Sequence, residues 1–363
     1  MSFLKKHIEQ SLVILEKYQG KIPFHLYLKD VFKQNKNWGS KDRKNYRSIC
    51  YKYFRNYFIL KDLSTEKVIE NLFEQLSFEN EKTSNTNAFN HFEGHISEHI
   101  SIEKLNHDFS IEPNIYFRSL IQFEKHIEND FKNLGISFKK NDTIQGIFEL
   151  SAKTNLENYI NQGKGYVQDL SCQLAIEELS LHHHFKRVWD CCSGAGGKAI
   201  DIMIKEPKCQ LFCSDKRKQI LQNLKIRFQM LGLTLPNIQE IDLLNDIPLL
   251  NDGFYNQKLI IADVPCTGSG TWRRNPENIV YFDNSNIHKY ANIQLSILEN
   301  LNPFVGQQGE IFYMTCSVFK AENEDNIKRF LNRYNYEIVF EKYFGGYSMN
   351  ADFIYGCLLR KTI

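Results

Sequence analysis

The sequence predicts an α/β protein with a doubly wound, mainly parallel sheet, a small α/β subdomain and a helical N-terminal lobe. Three observations support this fold class. From residue 166 onward, short apolar runs alternate with longer helical patterns, which is typical of a doubly wound sheet. Residues 111–165 alternate in the same way on a smaller scale, and the first 60 residues have helical spacing. The predicted division is therefore 1–110, 111–165 and 166–363.

The N-terminal lobe is predicted to be helical. The apolar residues of its first helix follow helical spacing up to a stop at Gly20. Ser40 is predicted to cap a later helix that reaches Tyr57. That helix mixes basic and aromatic residues: Lys44, Tyr46, Arg47, Tyr51, Lys52, Tyr53, Phe54, Arg55 and Tyr57. The mixture fits two alternatives equally well, namely phosphate binding with base stacking, or an aromatic core face beside a solvated basic face.

The remaining elements follow in order along the chain. Residues 61–110 are acidic, and the polar stretch at 80–87 predicts a linker or long loop. In the subdomain, strands are predicted at 115–119 and 146–150, with a helix at 120–134 between them. The main domain has four apolar runs typical of strands and two clear helical patterns. The strands are 188–190, 211–215, 259–263 and 310–314, and the helices are 219–231 and 287–300.

Composition and charge narrow the class of protein. The 363 residues are 42% hydrophobic and 24% charged, without an apolar run of the roughly 18 residues that a membrane span needs. The first residues resemble no signal peptide, so we expect a cytoplasmic protein. We also expect a monomer without membrane partners. The net charge of +2 conceals a basic segment at 1–60, with a charge of +9, and a remainder of −7. A basic lobe predicts a polyanionic partner.

The chain has nine cysteines, an odd number in a long chain, which argues against a secreted disulfide framework. A metal site deserves consideration because the histidines at 182–184 precede Cys191 and Cys192, and Cys209 lies four residues before Cys213. These spacings fit no standard paired zinc pattern. Buried structural thiols are the better interpretation, and no metal is predicted.

A glycine-rich turn follows the first strand of the main domain. Its sequence is Asp190-Cys191-Cys192-Ser193-Gly194-Ala195-Gly196-Gly197-Lys198. Glycines at such a turn let the backbone approach a ligand closely, and Asp215 at the end of the next strand is placed to accept hydrogen bonds from ribose hydroxyls. The turn also satisfies the dinucleotide pattern of nicotinamide and flavin enzymes. It therefore predicts a nucleotide-like ligand without deciding which one.

Two cysteines follow two later strands. Cys266 stands in Asp263-Val264-Pro265-Cys266, and Cys316 stands in Thr315-Cys316-Ser317. A single cysteine is best explained as a small buried hydrophobic residue. Two cysteines at the carboxyl ends of strands, on the edge where the ligand binds, favour a chemical role for both. The following Arg273 and Arg274 are predicted to contact phosphates.

Residues from about 111 to 363 resemble the RNA (cytosine-5) methyltransferases, a family that includes bacterial Sun/Fmu-type ribosomal enzymes and eukaryotic nucleolar relatives. The similar segments occur in the order of the family's motifs. They are 165–173 (its entry segment), 190–198 (D-x-C-A-A-P-G-G-K), 263–277 (D-A-P-C-S-G-x-G-x-x-R-R-x-P-E), 313–324 (Y-S-T-C-S…E-N-E) and 351–354 (a degraded D-G-F-F). Ser193-Gly194-Ala195 replaces the usual Ala-Ala-Pro, and Ala199 a usual Thr, which predicts a more flexible turn.

The resemblance implies a Rossmann-like methyltransferase domain that transfers a methyl group from S-adenosyl-L-methionine to carbon 5 of cytosine in RNA. It implies that Cys316 is the nucleophile that adds to carbon 6, and that Cys266 assists proton loss or release of the adduct. It also implies a set of cofactor-binding residues. That set is Cys192, Ser193, Gly194, Ala195, Gly196, Gly197, Lys198, Asp215, Asp242 and Asp263.

The substrate base must be unpaired or flipped out of a helix to expose carbon 6. The lobe faintly resembles a shortened NusB-like RNA-binding region, which favours ribosomal RNA over transfer RNA. Two alternatives of other classes stay open at this point. A nucleotide-cofactor oxidoreductase would explain the turn but not the two cysteines, and a non-catalytic RNA-binding assembly factor would explain the basic lobe.

Overall fold

The computed structural model describes residues 3–77, 86–245, 254–346 and 349–362. The chain divides into two compact units. Unit 1 contains Met1–Glu112 and Thr271–Asn284, and unit 2 contains Pro113–Gly270 and Ser285–Ile363. The predicted linker at 80–87 lies almost entirely outside the described residues. The domain boundaries predicted from the sequence, between residues 110 and 111 and between residues 165 and 166, stay predictions.

Unit 1 is helical in the part of the chain that is described. The acidic region 61–110, predicted to hold a linker, forms two of its helices and a short 3-10 turn at Asn90–Phe92. Numbered in chain order across both units, the helices of unit 1 are α1 (Phe3–Glu16), α2 (Phe24–Gln34), α3 (Ser40–Arg55), α4 (Tyr57–Leu60), α5 (Thr65–Ser77), α6 (Ile102–Ser110) and α12 (Glu277–Val280).

The core of unit 1 includes a segment that is distant in sequence. Helices α1, α2 and α3 enclose a cluster of mostly aromatic residues, and Val280 of α12 packs against it. The backbone N–H of Phe24, at the start of α2, donates to the carboxyl of Glu277 at 3.3 Å. Trp272 is 1% exposed. The sequence analysis placed 271–284 in the main domain and did not anticipate this packing.

The structure separates the two alternatives for α3. Tyr46 and Phe54 are buried in the core of unit 1. Arg55 is 6% exposed and donates to two backbone carbonyls at the end of α6. Tyr46, Phe54 and Arg55 therefore stabilise the fold. Among the basic residues of this mixture, Lys44 and Arg47 are exposed to solvent.

The beginning of α3 differs from the prediction by one residue. Ser40 is the first residue of the helix, and the N-cap is Gly39. Gly39 donates its backbone N–H to the Asp42 carboxylate at 3.0 Å, and Asp42 also accepts a bond from His7 of α1 at 3.0 Å. The acidic side chain in the first turn therefore accepts the backbone N–H of the N-cap residue and places a negative charge at the helix N-terminus.

Unit 2 contains a small antiparallel sheet with the order β2-β3-β1-β4. Phe117, Phe131 and Phe148 fill the space between this sheet and its helices. The helix predicted at 120–134 is a 3-10 turn at Ile121–Phe123 followed by α7. The elements are β1 (Ile115–Ser119), α7 (Glu124–Asn133), β2 (Phe138–Lys140), β3 (Ile147–Leu150), α8 (Glu157–Asn161) and β4 (Gly165–Val167).

The larger sheet of unit 2 has seven strands in the order β10-β11-β9-β8-β5-β6-β7, which confirms the predicted doubly wound fold. The pairs among β5 to β9 are parallel, whereas β11 runs antiparallel to both of its neighbours. The sequence analysis did not predict β10 and β11. The strands are β5 (Arg187–Asp190), β6 (Gln210–Asp215), β7 (Asn237–Glu240), β8 (Gln257–Asp263), β9 (Val305–Thr315), β10 (Tyr336–Gly345) and β11 (Phe353–Lys361).

Helices cover both faces of this sheet. Alternate residues of each strand enter two different cores: Val188 of β5 packs with α9 to α11, whereas its neighbour Trp189 packs with α13 and α14. This alternation explains why the strands read as continuous apolar runs. The helices are α9 (Leu170–His182), α10 (Gly197–Lys205), α11 (Lys218–Met230), α13 (Ser285–Leu301) and α14 (Glu324–Leu331). None of the described helices is long and apolar enough to cross a membrane.

The strand order fixes where a ligand can bind. The chain proceeds from β5 to β6 and β7 on one side of the sheet, and β8 and β9 lie on the other side of β5. The connections therefore part beside β5, and in such a sheet a ligand is expected beyond the carboxyl end of that strand. The candidate residues lie at this edge.

Candidate active site

The glycine-rich turn joins β5 to α10 with two left-handed residues. Gly194 has φ +51° and Gly196 has φ +80°, a region that side chains with a Cβ rarely adopt. A Cβ on Gly196 would also lie 2.7 Å from Cγ of Leu224. Gly196 is the N-cap of α10, so the free N–H groups of the first helical turn begin directly after it. Such a terminus favours groups that accept hydrogen bonds.

Asp215, at the end of β6, contacts this turn. Its carboxylate accepts the backbone N–H of Gly194 at 3.0 Å and both a guanidinium and a backbone donor of Arg217, each at 2.9 Å. Burial raises the pKa of Asp215, but these hydrogen bonds outweigh it and leave the pKa below its ordinary value. Asp215 therefore stays ionised beside the turn. Arg217, whose side chain is mostly exposed, was missed by the sequence analysis.

Lys198 and Asp263 form an ion pair between the first turn of α10 and the end of β8. Burial by itself lowers the pKa of Lys198, but the nearby carboxylates of Asp263 and Asp190 outweigh it and raise the pKa above its usual value. The carboxyl of Asp190, which is 1% exposed, has its pKa raised to about 7, chiefly by burial. The pair thus brings the predicted turn and the first cysteine motif together.

The two predicted cysteines meet at the ends of β8 and β9. The Sγ atoms of Cys266 and Cys316 are 3.1 Å apart, and the backbone N–H of Cys316 donates to Sγ of Cys266 at 3.3 Å. Both side chains are partly buried. The hydrogen bond with Cys266, followed by burial, raises the pKa of the Cys316 thiol well above its usual range. Cys316 is therefore a thiol at neutral pH and must lose a proton when it attacks.

Asp242 lies at the end of β7, the edge strand of the sheet. Its carboxylate accepts the backbone N–H of Leu244 at 3.1 Å and the side-chain amide of Asn245 at 3.0 Å, which closes a turn. The backbone N–H of Ile241 donates to the carbonyl of Asp215 at 3.3 Å. Asp242 therefore comes one residue after a residue that is bonded to the end of β6. Its contact with a cofactor stays a prediction.

Another thiol near the site was not among the site residues predicted from the sequence. Cys172 lies in the first turn of α9, close enough to Lys198 and Asp263 for their charges to act on it, and burial raises its pKa to about 12. Helix α9 is capped by Asp169, which also accepts the backbone N–H of Asp352 at 3.1 Å. The segments 165–173 and 351–354 therefore meet behind the site. Only their motif resemblance could have signalled this.

The predicted phosphate contacts of Arg273 and Arg274 stay predictions. Arg273 belongs to unit 1, is 7% exposed, and lies close enough to Asp108 for its charge to lower the pKa of that carboxyl against the larger effect of burial. Both arginines were expected in the main domain, whereas the structure places them in unit 1. Among the described residues, no group of three or more His, Cys, Asp or Glu side chains could hold a metal ion.

Comparison with known proteins supports the family resemblance. Residues 178–352 match the model of the 16S rRNA methyltransferase RsmB/F family, which confirms the resemblance inferred from the motifs. A probable ribosomal RNA small subunit methyltransferase B from Coxiella burnetii is 29% identical over 57% of this chain and 48% of its own length. One from Synechocystis is 32% identical over 47% of this chain and 38% of its own length. The chain thus spans about half or less of these relatives.

Solved structures share the fold. The crystal structure of PH0851 has a TM-score of 0.74 and 17% sequence identity, and the match covers 99% of this chain and 100% of that one. NSun6 from Pyrococcus horikoshii, solved with SFG, has a TM-score of 0.62 and 14% identity over 77% of this chain and 98% of its own. At these identities the comparison shows that this chain shares their fold.

The raised pKa of Asp190 predicts a pH-dependent stability. Its folded pKa of about 7 exceeds the roughly 3.9 of an unfolded aspartate. Between these values the folded chain binds a proton that the unfolded chain does not, so stability falls as the pH rises. Asp190→Asn removes this loss. From about pH 5 to about pH 8 the variant should gain roughly 2–3 kcal/mol over the parent, at about 1.4 kcal/mol per pKa unit.

Urea denaturation of parent and variant at the two pH values measures this difference. Asp325→Asn, at a side chain that is 46% exposed, controls for the loss of a carboxylate from the surface. An Asp190→Asn effect of the same size at both pH values would contradict the prediction.

Proposed function

We propose that this chain, which resembles the RsmB/F family over residues 178–352, transfers a methyl group from S-adenosyl-L-methionine to carbon 5 of a cytosine in RNA. The observation that carries the proposal is the pair of thiols, 3.1 Å apart, at the carboxyl ends of β8 and β9. They lie on the same sheet edge as a turn suited to a nucleotide-like ligand. The turn alone would also suit a nicotinamide or flavin cofactor, whereas the family matched by residues 178–352 consists of methyltransferases.

The residues around the turn fit a positively charged nucleoside cofactor. The two glycines allow the left-handed backbone of the turn, and the acidic side chains of Asp215 and Asp263 suit hydroxyl, ammonium and sulfonium groups. We assign Cys192 to Lys198, Asp215, Asp242 and Asp263 to this binding site. When bound, S-adenosylmethionine supplies an activated methyl group. NSun6 was solved with SFG, an analogue of that cofactor, which supports the assignment.

The chain's own part in the reaction is covalent catalysis. Carbon 5 of cytosine is a poor nucleophile, but addition of the Cys316 sulfur at carbon 6 breaks the aromaticity of the ring and makes carbon 5 electron-rich. After carbon 5 has accepted the methyl group, it must lose its proton, and the bond between carbon 6 and Cys316 must break. Cys266, whose Sγ lies beside that of Cys316, is placed to assist this release.

Ribosomal RNA of the small subunit is the proposed substrate, because the matched family is described as 16S rRNA methyltransferases. The exposed Lys44 and Arg47 of α3 are proposed to contact its phosphates, as basic side chains do without reading sequence. The chemistry requires both thiols to stay reduced. We therefore propose that the protein works in the cytoplasm, where thiols are kept in that state.

Removal of the Cys266 thiol should trap the intermediate. We expect Cys266→Ala protein, incubated with substrate RNA and cofactor, to accumulate an RNA–protein adduct that survives denaturing electrophoresis, because the adduct forms at Cys316 but is released slowly. Cys209→Ala is the matched control, since Cys209 is another thiol of unit 2 but lies directly before β6, at the opposite sheet edge. Normal product release by Cys266→Ala without an adduct would refute the assigned role.

Bisulfite sequencing of total RNA tests the substrate. Comparison of cells with and without the gene should reveal one protected cytosine in small-subunit ribosomal RNA that becomes convertible when the gene is absent. Protection that changes only in transfer RNA would reassign the substrate while keeping the chemistry. Identical profiles in both strains would contradict RNA cytosine-5 methylation altogether.

A further inference from the structure

A buried carboxyl lies behind the two cysteines, and the proposed chemistry does not use it. Glu322, at the end of a 3-10 turn (Lys320–Glu322), is 0% exposed. Its Oε1 accepts the hydroxyls of Thr267 and Ser317, each at 2.5 Å. Its Oε2 accepts the backbone N–H of Thr267 at 2.9 Å and the side-chain amide of Gln294 at 2.8 Å. One carboxyl group therefore holds four donors in a dry environment.

Three of these four bonds come from the residues that directly follow the cysteines. Thr267 follows Cys266, and Ser317 follows Cys316. Oε1 of Glu322 accepts one bond from each of the two loops, and the two hydroxyls are themselves 3.3 Å apart. The carboxyl thus fastens the two loops to each other at a point one residue away from each thiol.

Neighbouring residues extend the same connection. Gln294, on α13 and 0% exposed, also donates to the carbonyl of Pro265 at 3.0 Å, on the other side of Cys266. Asn323 donates to the carbonyl of Ser317 at 2.8 Å and accepts the hydroxyl of Thr315 at 2.5 Å, so it holds both neighbours of Cys316. Each cysteine is therefore fixed through the residues before and after it.

We propose that Glu322 is a positioning residue that sets the distance between the thiols of Cys266 and Cys316, an assignment that deepens the proposed function and rests on it. The carboxyl contacts neither sulfur and acts through Thr267 and Ser317. Its place matters because covalent attack at carbon 6 and the assisted release that follows require both thiols to be held beside the same substrate ring. A misplacement of about 1 Å in such a site can cost roughly a hundredfold in rate.

The rate of disulfide closure between Cys266 and Cys316 reports this geometry without RNA or cofactor. Diamide, an azo oxidant, takes two electrons and two protons from the two thiols, so that one sulfur–sulfur bond forms and the azo group becomes a hydrazine. Mass spectrometry of the linked peptides follows the reaction in the full chain under identical oxidant concentrations. Since the Sγ atoms are 3.1 Å apart, we expect rapid closure in the parent.

Two substitutions at Glu322 separate positioning from bulk packing. Glu322→Leu fills a similar volume but accepts no hydrogen bond, and we expect closure to slow by about tenfold or more. Glu322→Gln should stay within about threefold of the parent. Its amide oxygen can accept from Gln294 and from the Thr267 backbone, and its NH2 group can donate to the hydroxyls of Thr267 and Ser317.

Glu310→Leu is the matched control. Glu310 is a buried carboxyl on β9, six residues before Cys316, and Arg360 holds it at 2.8 and 3.0 Å. The control should close at the parental rate even though it also loses a buried carboxyl. If Glu322→Leu does not fold, Thr267→Val tests the same connection, because it removes one hydroxyl donor and keeps the side-chain shape.

Three results would overturn the inference: parental closure in both Glu322→Leu and Thr267→Val, equal slowing in Glu310→Leu, or equal slowing in Glu322→Gln and Glu322→Leu. Methyl transfer is measured separately on the same proteins. A parent that closes the disulfide quickly but transfers no methyl group would refute the proposed function. The closure rates of the variants would still decide the role of Glu322.

Discussion

The parallel pairing of β8 with β9 is the constraint on which the site depends. In this register Asp263 lies opposite Met314, so the two strands end at the same level of the sheet. Cys266 comes three residues after Asp263, and Cys316 comes two residues after Met314. Two short loops therefore bring thiols that are 50 residues apart in sequence to a separation of 3.1 Å. A slip of the register would separate them, whatever the residues around them.

Much of the fold and part of the site could be predicted because both depend on local patterns. Strands β5, β6, β8 and β9 are buried on both faces, so each is a continuous apolar run that ends in a polar residue. The glycine turn is likewise local, since its left-handed residues allow few substitutions. The strands β10 and β11 were missed. Exposed and charged residues interrupt the apolar pattern of β10. Strand β11 begins within the segment 351–354, which was interpreted only as a motif.

The remaining features could not be predicted because they depend on contacts between distant residues. Nothing in the sequence of 271–284 indicates that its Glu277 accepts a bond from Phe24. Aromatic residues in α3 look alike whether they stack on bases or fill a core, and only their burial decides. Glu322 belongs to a recognisable motif, but its four hydrogen bonds come from three separate elements. These contacts set the geometry of the site, whereas the local patterns set its location.

The most direct test of the account is the identity of the residue that bonds to the substrate. The RNA–protein adduct can be digested with protease and nuclease, and the modified peptide can be sequenced by mass spectrometry. The account predicts a cytosine nucleotide attached to Cys316, with the mass of one added methyl group when the cofactor is present. Attachment to Cys266 instead, or the recovery of methylated RNA from Cys316→Ser protein, would contradict it.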